Sequence, residues 1–208
     1  MFVASLAHPQ PEPDDAHHLF RVLRLRDGEP VTVTDGAGGW QVTTVAGAAL
    51  VPDGPVHHAP APRPCTIAAA IPKGDRVEWM VQKLTEVGAT EIVFLHCARS
   101  AVRWDATKGP KQLARLHRVA REAAMQSRRV WLPVLRGPIG FAEAAMLPHA
   151  TLADPAGSVV ECSPCVIIGP EGGFSPEESV VDLPRVRLGD QVLRVETAAI
   201  VAACRILI

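Results

Sequence analysis

Tyrosine is absent from this chain of 208 residues, and the other aromatics are few: five Phe and four Trp. Proteins that stack successive unpaired bases on rows of rings need more, so the composition argues against that mode of nucleic-acid binding. No apolar run approaches the length of a membrane span, and the first residues lack a basic stretch followed by an apolar core. The expectation is a soluble protein that stays in the cytoplasm. Five cysteines in such a chain do not suggest a disulfide framework. Only Cys162 and Cys165, in ECSPC, are closely spaced, and a CxxC without a second Cys or His pair is a weak zinc signal. His17–His18 and His57–His58 are adjacent, whereas ligands on a helix need spacing of three or four to share a face. No metal is expected. What is plentiful is apolar material: 48% hydrophobic against 21% charged residues, enough for a packed core.

A net charge of −1 conceals an uneven distribution. Residues 1–70 carry −3, residues 71–136 carry +7 and residues 137–208 carry −5. A basic middle third is what a phosphate-binding surface requires, although a solvated helix face has the same composition.

Two structural regimes follow one another. Residues 19–51 alternate apolar and polar side chains around DG and GG turns, which predicts short strands in a compact β-barrel. Residues 52–64 hold five prolines and a glycine and suit a linker. Beyond them strands and helices alternate, the pattern of an α/β layer fold. Buried strands are expected at 65–71, 91–97, 151–154 and 165–169. Asp75 with Glu78 suggests a capping box for a helix that carries Val77, Val81, Leu84 and Val87 inward and stops at Gly88. A second helix is expected over 110–127, opened by Pro110, with Leu113, Leu116, Ala120 and Ala124 as its apolar stripe. A last apolar helix runs from Glu196.

The most informative segment is the strand CVII followed by Gly169-Pro170-Glu171-Gly172-Gly173-Phe174-Ser175-Pro176. A glycine-rich turn at the carboxyl end of a buried strand is where open α/β sheets hold ligands. Gly172 and Gly173 permit positive φ and close backbone approach, while Ser175 and Pro176 read as the cap and first position of a helix. No GK[ST] or GxGxxG is present, and Glu171 would repel a phosphate. A second loop, Leu188-Gly189-Asp190-Gln191-Val192-Leu193-Arg194-Val195-Glu196-Thr197, joins the strand VRL to the last helix. Arg194 and Glu196 can present a cation and a potential base to one cleft, or simply pair with each other.

IGPEGGFSPEE and LGDQVLRVETA together resemble the SPOUT-class RNA methyltransferases, and specifically the RsmE family. That family methylates N3 of one uridine, of the 1498 type, in 16S ribosomal RNA. AHHLFRVLRLRDGE, VEWMVQKLTEVGATEI with ARSAV, and REAAMQSRR extend the resemblance along nearly the whole chain. It implies an α/β fold: a PUA-like RNA-binding β-barrel over residues 1–60 and a SPOUT methyltransferase domain with a deep trefoil knot over 61–208. It also implies a homodimer that uses S-adenosyl-L-methionine without a metal and acts on 16S rRNA of the small ribosomal subunit.

On that basis the cofactor is expected against Ile168, Gly169, Pro170, Glu171, Gly172 and Gly173 on one side. Leu188, Gly189, Val192, Leu193 and Arg194 form the other. Uridine N3–H must lose a proton, which Glu196 or Glu171 would accept while Arg194 steadies charge on the flanking carbonyls. RNA phosphates are expected on Arg21, Arg24 and Arg26 and on Arg99, Arg103, Arg115, Arg118, Gln126 and Arg129. Two alternatives stay open: a SPOUT enzyme acting on another RNA or position, and a non-catalytic RNA-binding homologue.

Overall fold

The computed structural model of the chain describes residues 1–158 and 163–208, apart from the side chains of Asp14 and His18. Cys162, one half of the CxxC pair, lies outside the described residues, whereas Cys97, Cys165 and Cys204 are free thiols. The chain forms two units, Met1–Pro62 with Ala124–Leu132, and Arg63–Ala123 with Pro133–Ile208. Among the described residues no helix is long and apolar enough to cross a membrane.

In the first unit, β1 (Pro30–Thr34), β2 (Gly39–Ala46), β3 (Ala49–Pro52) and β4 (His57–His58) form an antiparallel sheet in which β2 pairs with all three others. Alternation sends Val31, Val33 and Val45 inward to meet Val3, Leu19 and Leu50. The inward polar groups of β2 are satisfied: Thr43 Oγ1 donates to the carbonyl of Val31 at 2.8 Å and the Gln41 amide to that of Leu6. The tight turn between β1 and β2 is held by Asp35, whose Oδ1 accepts from Ala37 N at 2.7 Å and Gly39 N at 3.0 Å. Residues 130–132 lie along this turn, with Gly38 N donating to Val130 O at 3.0 Å and Leu132 N to Gly36 O at 2.9 Å. Trp131 covers Gly38, where a Cβ would come within 2.3 Å of the indole.

Two expectations fail here. Residues 19–25 are not a strand: α1 (Pro13–His17) runs into one π-helical turn, His18–Val22. Leu19 is buried and its neighbour Phe20 packs on the same core, whereas consecutive residues of a strand face opposite ways. The proline-rich stretch is not wholly a linker either, because His57 and His58 pair with Trp40 and Gly39 and the His57 ring stacks on Trp40 at 4.4 Å.

The second unit is built on a six-stranded parallel sheet, ordered β10-β8-β9-β5-β6-β7. Its strands are β5 (Thr66–Ala70), β6 (Glu91–His96), β7 (Val134–Gly140), β8 (Ala150–Ser158), β9 (Cys165–Ile168) and β10 (Arg185–Val186). Four of the expected strands are present, and β7, whose VLRGPIG lacks a clear apolar run, was not foreseen. Strands covered on both faces read as continuous apolar runs, which is why IAAA and CVII were legible. One face packs on α2 (Arg76–Val87), α3 (Lys108–Gln126) and α6 (Val195–Leu207), through Met80, Leu84, Leu116, Ala199, Ala203 and Ile206. The other face carries Phe141 and Ala144 of the short, unforeseen α4 (Phe141–Ala145) against Val93, Leu95, Leu152 and Ile167.

Helix ends refine the expectations. Gly88 closes α2 in the left-handed region at φ 111°, as the sequence predicts. Asp75 does not cap it, because its side chain makes no hydrogen bond to the helix. At α3 the cap is Asp105, whose Oδ1 accepts from Lys108 N at 2.7 Å and Thr107 N at 3.0 Å. Ser175 does cap α5 (Pro176–Ser179), with Glu178 completing a reciprocal box.

Candidate active site

Strand order reverses at β5: β5, β6 and β7 step one way, while β9, β8 and β10 lie on the other side. Crevices outside the carboxyl ends of strands near such a reversal are the usual ligand sites of open α/β sheets. A cavity of about 460 Å³ sits there, within the range of about 300–1,000 Å³ typical of small-molecule sites. The loop after β9 supplies Ile168, Gly169, Pro170, Glu171 and Gly173. The loop after β10 supplies Leu188, Gly189, Val192, Leu193 and Arg194. The two expected walls therefore converge on one space.

Gly172 is the exception. It is not part of the lining, and a Cβ on it would approach Arg99 Cβ at 3.4 Å. Only Gly173 uses the left-handed region, at φ 70°, so the freedom expected of both glycines is needed at one. Gly169 is glycine for a different reason: a Cβ there would lie 2.8 Å from the Phe174 ring, which also lines the cavity.

Sequence reasoning missed the third wall, Ala153, Asp154 and Pro155 from β8. TLAD reads as a strand, but no glycine turn flags its carboxyl end. Asp154 is fixed by a short contact with the Arg185 guanidinium. Gln191, Phe174, Ser179, Val195 and Ala198 complete the lining.

Glu196 and Glu171 take different positions. Glu196 is 5% exposed in the first turn of α6, where the helix dipole favours a carboxylate, and it is not part of the lining. Its Oε2 has no hydrogen-bond partner. Glu171 is exposed on the wall. Arg76, at the start of α2, approaches both, at 3.9 Å from Glu171 and 3.8 Å from Glu196. Arg194 precedes α6 as its N-cap residue and stays exposed on the wall without a side-chain cap bond.

The glycine loop is braced from outside. Glu178 Oε1 accepts from Ala98 N at 2.7 Å and Oε2 from Ser175 N at 2.9 Å, and Arg99 donates to the Gly172 carbonyl at 3.2 Å. Next to this brace, burial and then the adjacent Glu178 carboxylate push the Cys97 thiol up to about 12. His96 is moved below its usual range by burial and by Arg103, and its Nε2 accepts from Trp104 N at 3.0 Å. The Ser175 hydroxyl, donating to Glu177, holds that carboxyl below its ordinary range.

The expected RNA contacts divide between the units. Arg21, Arg24, Arg26, Gln126 and Arg129 belong to the first, and all but Arg129, which is half-buried, are exposed. Arg99, Arg103, Arg115 and Arg118 belong to the second and are exposed. Three of these four have other partners, Arg99 through the Gly172 carbonyl. Arg103 donates to the Cys97 carbonyl at 2.9 Å, and Arg115 forms a short ion pair with Glu78.

Known proteins agree with this architecture. The model of an RNA methyltransferase domain matches residues 59–207, and that of an RNA methyltransferase PUA domain matches residues 11–48. Ribosomal RNA small subunit methyltransferase E of Synechocystis is 34% identical, over 91% of this chain and 69% of its own. Among solved structures, a probable rRNA methyltransferase of Porphyromonas gingivalis superposes with a TM-score of 0.84 at 29% identity, over 97% of this chain and 94% of that one. A methyltransferase of Legionella pneumophila, solved with bound cofactor SAM, gives 0.83 at 27% identity, covering 99% and 95%. With a PUA domain ahead of a parallel α/β methyltransferase domain and kinship along most of its length, the chain belongs to the ribosomal RNA small subunit methyltransferase E family of RNA methyltransferases.

Proposed function

We propose that the protein transfers a methyl group from S-adenosyl-L-methionine to N3 of a specific uridine in 16S rRNA of the small ribosomal subunit. The observation that carries the reading is a cavity shared by β8 and the loops after β9 and β10. The donor set suits that cofactor. Ile168, Pro170, Leu188, Leu193, Val195 and Ala198 offer apolar surface for an adenine, the glycine turns leave backbone groups accessible, and Asp154 and Glu171 suit a cationic sulfonium and ammonium. S-adenosylmethionine supplies a methyl made electrophilic by its sulfonium.

The chain's own task is to hold the base and manage charge. The uridine imide loses its N3 proton before it attacks, and of the two candidates, Glu171 and Glu196, we take Glu171 as the acceptor because it is the one exposed on the wall. Arg194 stabilises the negative charge that spreads to the flanking carbonyls. The target base leaves its stack to enter. Exposed arginines, with Arg21, Arg24, Arg26, Arg99 and Arg118 first among them, bind phosphates.

The same reading takes residues 1–60 as the RNA-holding domain and 61–208 as a knotted methyltransferase domain, in a homodimer that works in the cytoplasm. Ile200 and Val201, two apolar residues of α6, remain partly exposed, which suits contact with a second copy. The test is methyl transfer to small subunits from cells lacking the gene, followed by nucleoside mass spectrometry. A 3-methyluridine at one position in 16S rRNA is expected. A methyl on a ribose, on another base or on transfer RNA would refute the substrate assignment.

A further inference from the structure

We infer that Arg76 is a positioning residue that sets Glu171 at the cavity mouth, with Glu196 as its fixed anchor. The inference rests on the reading of Glu171 as proton acceptor, and it begins from a residue in an unfavourable place. Arg76 is the first residue of α2, where the helix dipole disfavours a cation. It does not serve α2, so its position needs another cause. Two carboxylates provide one: Arg76 Nη1 lies 3.9 Å from Glu171 Oε1, and Arg76 Nε lies 3.8 Å from Glu196 Oε1.

The two carboxylates are held very differently. Glu196 is buried in the first turn of a helix whose Ala199, Ala202, Ala203 and Ile206 are locked in the same core as Val77, Met80, Val81 and Leu84 of α2. It cannot shift without moving that core, and its buried charge needs a cation nearby. Glu171 sits in a turn closed by the Gly173 N bond to Pro170 O at 2.8 Å, followed by two glycines, with its side chain 40% exposed. Such a turn alone leaves the carboxylate free to wander. Arg76, itself 42% exposed, spans the distance between the buried acid and the exposed one. The guanidinium carries several donors in a plane and can face two carboxylates at once, whereas a lysine ammonium does so less well.

The roles of the two glutamates then separate. Glu171 meets the substrate, and Glu196 acts on the reaction only through Arg76. A proton acceptor displaced by about an ångström loses on the order of a hundredfold in rate. Single-turnover methyl transfer should therefore fall about ten- to a hundredfold in Arg76→Ala and in Glu196→Gln, with RNA affinity within threefold of the parent. Arg76→Lys should recover part of the loss. In a Glu171→Gln background, adding Arg76→Ala should change the rate by less than threefold, because the group being positioned is gone.

A second measurement needs neither cofactor nor RNA. Hydrogen exchange of the amides from residue 171 to 174 in the free protein should accelerate in Arg76→Ala and Glu196→Gln, with exchange in β5 and β6 unchanged. Equal multiplicative losses from Arg76→Ala with and without Glu171→Gln would overturn the inference, as would unaltered loop exchange or a Glu171→Gln variant that keeps the parental rate. If the parent protein makes no 3-methyluridine while loop exchange still responds to Arg76, the functional reading fails and the structural linkage stands.

Discussion

Replacing Gly169 tests whether the cavity wall is as closely fitted as it looks. An alanine Cβ at this position would lie 2.8, 2.9 and 3.1 Å from three atoms of the Phe174 ring. Ordinary contact begins near 3.4 Å, so the ring must retreat by about 0.6 Å. It is not free to do so. Phe174 packs on Phe141 with ring centroids 5.3 Å apart and planes inclined by 58°, and Phe141, the first residue of α4, is itself 7% exposed. Overpacking of this kind costs about 1–3 kcal/mol, which in a chain of this size is about 2–12 °C in Tm. Because Gly169 and Phe174 both line the cavity, relief by swinging the ring outward narrows the site. Gly169→Ala is expected to weaken S-adenosylmethionine binding about tenfold or more by calorimetry and to lower the melting temperature by several degrees. Full affinity together with an unchanged melting temperature would show that the ring has slack, and that the close approach does not shape the site.

Ser175→Ala removes a cap that accepts from Glu178 N at 3.2 Å, and should cost about 1 kcal/mol in thermal unfolding. A variant as stable as the parent would mean that α5 contributes nothing to holding the loop. His96 titrates below its ordinary 6.5 because burial and Arg103 disfavour its cation, so the unfolded chain takes up a proton that the folded one resists. Its contribution to stability is present above pH 6.5 and is lost as the pH falls through the lowered value; denaturant titrations from pH 7.5 to 5 should show this slope, flatter in His96→Asn. Arg118→Ala should reduce the salt slope of RNA binding by about one unit in filter-binding assays, leaving cofactor affinity unchanged. Arg115, paired with Glu78, should contribute less to that slope.

Legibility followed the physics of each segment. Strands buried on both faces are continuous apolar runs, so β5, β6 and β9 and the buried start of β8 could be read, whereas β7 interrupts its run with Arg136 and Gly137. The cap at Ser175 was visible because it adjoins Pro176 at the first helical position, and the structure adds Glu178 as the other half of a reciprocal box. Asp75 and Glu78 have the same spacing, but the backbone there puts Asp75 at φ −72° and ψ −5°, already helical and unable to cap. Residues 130–132 cluster with strands nearly a hundred positions earlier through contacts at a single turn, for which the sequence contains no local sign. At the site, glycines advertised two walls. The β8 wall and Arg76 remained hidden because a partner across the sheet or on a neighbouring helix has no fixed spacing in the chain.

The uneven charge finds its explanation in where the cavity is made. Every lining residue falls between Ala153 and Ala198, inside the segment that carries −5, while the excess of +7 lies in residues 71–136. Glu171, which speaks against a phosphate in this pocket, is the right sign for a cofactor that bears a sulfonium and an ammonium. An RNA substrate demands the opposite sign over a much larger area, and in the proposed reading the basic middle segment supplies it. Both demands meet in one reaction, since a cationic donor and a polyanionic acceptor must be held within bonding distance of each other. A pocket lined with arginines would attract the RNA backbone into the cofactor's place, and an acidic outer surface would keep the RNA away. Segregating the two signs along the chain lets each ligand be selected by charge before any specific contact forms. Near neutrality overall is then the sum of two working surfaces, and a mutation that changes one sign locally should disturb the binding of one ligand and spare the other.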